Sequence, residues 1–154
     1  IYNNHNMIST VKHVRDQVSN AIDACSENNP DMEQALRDRF ELWTTAVNDK
    51  MTDAEAQRDN MIIAQDYTKP SEIRSILRQS DEIRDETNDA MEGVPVTTPE
   101  ACEYLLNKMD ETQANMVGIL NAALITLPQA IQNLPDPEEE AAAEDAAEPA
   151  ESEE

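Results

Sequence analysis

Met7, Val11, Val14, Val18, Ala21 and Cys25 recur in steps of four and three. That alternation places one apolar stripe on an α-helix, and it predicts a first helix over residues 6–26. Asn28 and Asn29 interrupt the stripe. Asn29 followed by Pro30 is an N-cap and first-turn pair, so a second helix is expected to start there. Its apolar face runs through Met32, Leu36, Phe40, Trp43, Val47, Met51 and Ala54 and resumes at Met61 and Ile62. We read this helix as continuous. The competing reading opens a new helix at Thr52, which has capping-box spacing to Glu55.

A third helix is predicted after Pro70, with a thinner seam of Ile73, Ile76, Ser80, Ile83, Thr87 and Ala90, and Gly93 placed to end it. Thr97, Thr98, Pro99 and Glu100 then combine a threonine cap, a first-turn proline and a capping glutamate. The fourth helix carries Cys102, Leu105, Met109, Thr112, Met116, Ile119 and Ala123 on its seam. Leu106, Val117, Leu120, Leu124 and Leu127 fill the adjoining stripe, and Pro128 should kink or stop the helix.

Four helices joined by short loops favour an all-α, antiparallel up-down four-helix bundle. Here the bundle has a long second helix and occupies residues 1–134, followed by an acidic tail over 135–154. With only two glycines and five aromatic residues, the chain is poorly suited to a β-sandwich or barrel. In the up-down arrangement, Cys25 at the end of the first helix and Cys102 at the start of the fourth share one end of the bundle. A disulfide between them is therefore expected, the alternative being two buried thiols. A break at Thr52 would add a reversal and separate the two cysteines. The bond would indicate maturation outside a reducing cytosol and an extracytoplasmic, secreted or particle-associated protein.

Charge narrows the partners. The formal net charge is −22, and residues 136–154 carry acids and no base. Such a field opposes direct binding to nucleic acid or to an anionic membrane surface. No apolar run approaches the roughly 20 residues of a membrane-spanning helix. By contrast, residues 113–134 hold no charge at all. A helix apolar on most faces is either central to its own bundle or covered by something else. Leu120, Leu124, Leu127 and Ile131 are accordingly the candidate partner-binding residues.

Catalytic chemistry has no visible frame. His5 and His13 lack the spacing of a helical metal site, and the acids from Asp81 to Asp89 lack the turn glycine and alternating ligands of a calcium loop. No nucleophile elbow or phosphate loop is present. No catalytic residue, cofactor or metal is therefore expected. The outline resembles antiparallel four-helix bundles of extracytoplasmic sensor domains and of accessory subunits in large assemblies. That resemblance implies a non-enzymatic structural or interaction subunit, docking through its C-terminal helix onto a protein partner or larger assembly. The alternatives are a sensory or carrier bundle holding a small ligand near Ser80, Thr87 and Thr112, and an acidic mimic of nucleic acid.

Overall fold

The computed structural model describes residues 1–125. Four α-helices follow in order: α1 (Tyr2–Asn28), α2 (Glu33–Ala64), α3 (Pro70–Met91) and α4 (Pro99–Ala123), with a short 3-10 turn at Pro30–Met32 ahead of α2. The bundle unit comprises Ile1–Leu124. The domain boundary expected at residue 134 and the acidic tail lie outside the described residues, as does Pro128. Helix α4 itself stops at Ala123, five positions before that proline.

The up-down order holds. Helix α2 runs unbroken for 32 residues, about 48 Å at 1.5 Å per residue. Thr52 does not cap a new helix. Its hydroxyl donates to the Asn48 carbonyl one turn earlier at 3.0 Å, a bond that fits inside a continuing helix. At the start of α4, Thr98 is the N-cap, accepting from the Ala101 amide at 3.3 Å, with Pro99 in the first turn. Asn29 precedes its turn as expected but does not cap it with its side chain. Its amide instead donates to the Cys25 carbonyl at 3.2 Å and to the Thr97 carbonyl at 2.9 Å, tying the end of α1 to the approach to α4.

Three helices make the main core. Ile8 and Val11 of α1, Trp43, Val47, Met51 and Ala54 of α2, and Met109, Met116, Leu120 and Ala123 of α4 pack as one buried cluster. Phe40 stacks on Trp43 with ring centroids 5.9 Å apart, within the favoured range for aromatic pairs. A second cluster of Ile22, Cys25, Leu36 and Cys102 closes the end of the bundle that holds both cysteines. Burying a side chain of Leu or Ile size removes about 1.5–3 kcal/mol of unfavourable hydration, so these seams account for the pairing of α1, α2 and α4.

Helix α3 is different. It buries only Ile73 and Leu77, which meet Ile62 of α2 and Ile1, and it flanks the α1–α2 side of the bundle. The seam expected on α3 is buried at Ile73 but not beyond it. Ile76 and Ile83, one heptad apart, face solvent. Their place on the inward side is taken by Leu77, Asp81 and Arg84, because the surface they cover on α1 is polar: Ser9 donates to Asp81 at 2.7 Å, and Arg84 donates to the Asn6 side chain at 2.9 Å.

Candidate functional site

The structure joins Cys25 to Cys102, with Cα atoms 5.7 Å apart. Both residues are buried, and the Asn29 amide lies 3.4 Å from the Cys102 sulfur. The bond links the end of α1 to the first turn of α4, the placement that a continuous α2 requires.

Of the four residues read as a docking surface, Leu120 turns inward. It is fully buried among α1, α2 and α4, so its apolar side chain is covered by the protein's own core and is not presented to a partner. Leu124 is half-buried and packs against the same cluster. Leu127 and Ile131 lie outside the described residues. The uncharged second half of α4, residues 113–123, thus reflects the central position of that helix, flanked by both long helices.

The most elaborate polar arrangement lies where α3 meets α1 and α2. His5 sits on α1 with only 4% of its side chain exposed. Its Nδ1 is 3.3 Å from an Arg58 Nη1 atom of α2, and a guanidinium can only donate. Nδ1 must therefore carry the lone pair, which assigns the proton of the neutral ring to Nε2. That nitrogen faces Asp81 Oδ1 of α3 at 2.9 Å, within ion-pair distance although not aligned as a hydrogen bond. Burial lowers the His5 pKa from its ordinary value; Asp81 opposes the shift, and the Arg58 and Arg84 charges reinforce it. A neutral imidazole thus connects a cation on α2 to a carboxylate on α3. The Arg58 guanidinium also holds Asp59 at 3.1 Å.

Two clefts border this junction. The larger, about 510 Å³, runs between α1 and α3 and is lined by Ser9, His13, Asp16, Asn20, Asp85 and Asp89 among others. The smaller, about 270 Å³, is lined by His5, Lys12, Arg58, Arg74, Arg78 and Asp81 together with Asp59, Ile62 and Leu77. Ser80, Thr87 and Thr112 line neither cleft. Among the described residues no group of three or more His, Cys, Asp or Glu side chains is placed to hold a metal ion, and no helix is long and apolar enough to cross a membrane. No known protein family, curated protein or solved structure matches this chain significantly.

The sequence reading missed the His5 junction because the first helix starts at Tyr2, four residues before the expected start. Ile1 precedes it without a side-chain cap, so no local signature announces the boundary. The available signal was periodic: His5 and Ser9 on α1, and Arg74 and Arg78 on α3, are each one helical turn apart.

Proposed function

We propose that this protein is a non-enzymatic interaction subunit of a larger assembly, docking through the outer face of α3 and the connector that follows it. The supporting observation is the apolar row that α3 leaves uncovered. Ile76 and Ile83 are 50% and 66% exposed, and Met91, Val94 and Val96 continue the exposure at 71%, 94% and 70%. Single exposed apolar residues are ordinary, whereas five of them over one helix and the connector that follows it support a contact surface. The exposed Glu82 and Glu86 flank Ile83. The fitting partner is therefore an amphipathic helix with an apolar row bordered by Lys or Arg. A second copy of this acidic chain would meet like charge.

The C-terminal segment remains a second proposed contact, carried by Leu127 and Ile131 without Leu120. The disulfide favours maturation in an oxidising compartment, hence an extracytoplasmic or particle-associated place of work. Native mass spectrometry of the protein isolated from its source tests the reading. The expected species is a stoichiometric complex with a different, basic-flanked protein, absent for the Ile76→Asp, Ile83→Asp double variant. A monomer at cellular concentration, or a complex indifferent to those substitutions, overturns docking through α3.

A further inference from the structure

The smaller cleft concentrates positive charge in a strongly acidic protein. The whole chain has 11 Lys and Arg residues, yet Lys12, Arg58, Arg74 and Arg78 converge on one space of about 270 Å³. Lys12 is paired with Glu55, and Arg58 with Asp59. Among the described residues, neither Arg74 nor Arg78 has a carboxylate within 4.0 Å. Two arginines one helical turn apart on α3 thus border a cleft whose floor includes the buried His5. The acids present are already engaged: Asp59 by Arg58, and Asp81 by the Ser9 hydroxyl and the His5 ring.

We propose that this cleft binds the phosphate group of a small soluble phosphomonoester, with Arg74 and Arg78 as its principal ligands and Arg58 behind them. With Lys12 paired to Glu55 and Arg58 to Asp59, the cations lining the space that have no carboxylate partner among the described residues are Arg74 and Arg78, a pair suited to holding one anion between them. Guanidinium forks arriving from α2 and α3 suit the divergent oxygens of a tetrahedral phosphate better than one planar carboxylate. The volume lies just below that of pockets for drug-sized ligands, which limits the group attached to the phosphate. An anionic lipid surface carries the same headgroup chemistry, but a bilayer must approach a broad face of this acidic chain, whereas a small phosphate need only enter the cationic cleft. This site is separate from the outer face of α3, so either proposal can fail without the other.

The test is calorimetric titration of the full chain with inorganic phosphate and with glycerol phosphate, with acetate as control, all at one ionic strength. Saturable one-to-one binding of both phosphates is expected, and none of acetate. Arg74→Gln and Arg78→Gln should each weaken binding roughly tenfold or more, the loss expected for a charge-assisted hydrogen bond. Lys108→Gln, on α4 outside the cleft, should leave it unchanged. Circular dichroism verifies the fold of each variant, and substituting the two arginines singly keeps the test independent of any one protein. Absence of saturation, equal weakening by Lys108→Gln, or binding only to phosphatidic acid vesicles would overturn the proposal.

Discussion

Breaking the bond between Cys25 and Cys102 removes a constraint on the unfolded chain, and the size of that loss follows from the topology. The cysteines are 77 positions apart. On the chain-entropy account, closing a loop of that length stabilises the fold by about 4.5 kcal/mol at 25 °C. For a unit of this size the corresponding fall in Tm is on the order of 15 °C. Reduction is the cleaner perturbation, because it leaves both sulfurs among Ile22, Leu36, Leu105 and Leu106 and buries no new polar group. Substitution by serine would add the cost of an unsatisfied hydroxyl. Trp43 is the single tryptophan and is fully buried in the main core, so its fluorescence reports global unfolding. The assay is urea unfolding of oxidised and reduced protein, monitored by that fluorescence. A loss of about 3–5 kcal/mol is expected. A loss below about 1 kcal/mol would refute the reasoning, since it would mean that α1 and α4 are held together in the denatured ensemble by something other than the bond.

Other consequences follow from particular contacts. The pKa of His5 is lowered from 6.5, so the unfolded state binds its proton first as pH falls. The His5 contribution to stability is complete above pH 6.5 and is lost as pH drops from there through the lower folded value, with a slope of at most about 1.4 kcal/mol per pH unit. Urea midpoints between pH 7.5 and 5.5 should show that slope, and His5→Gln should flatten it. Helix α3 buries only Ile73 and Leu77, so its amides should exchange with deuterium faster than those at the centres of α1, α2 and α4; equal protection would contradict its peripheral place. Leu120→Ala should cost about 2–5 kcal/mol as a core cavity, whereas Tyr104→Ala on the exposed side of α4 should stay within about 0.5 kcal/mol. Thermal unfolding of both variants distinguishes a buried Leu120 from a docking residue.

The core helices were legible where their inward faces are apolar. The predicted seam of α2 contains Leu36, Trp43, Val47, Met51 and Ala54, all of which are buried, and the disulfide confirms the up-down order that a continuous α2 implies. Helix α3 was read correctly at Ile73 but out of phase beyond it, for the opposite reason. Its inward positions include Asp81 and Arg84, which answer Ser9 and Asn6 on α1. Hydrophobic periodicity assumes that burial and apolarity coincide, so it selected the exposed Ile76 and Ile83 instead. Leu120 was assigned to a surface on the same assumption, since an apolar helix beside two long neighbours reads like an apolar helix awaiting a partner. Of the convergence of Arg58, Arg74 and Arg78, only the one-turn spacing of the last two was legible, because the rest depends on how α3 lies against α2 rather than on any local motif.

The most direct test of docking through α3 is hydrogen exchange of the protein within its native complex, compared with the isolated chain. The account predicts new protection over residues 76–96, centred on Ile83 and the connector. Protection confined to α4 and the residues beyond it, or no change anywhere, would contradict it.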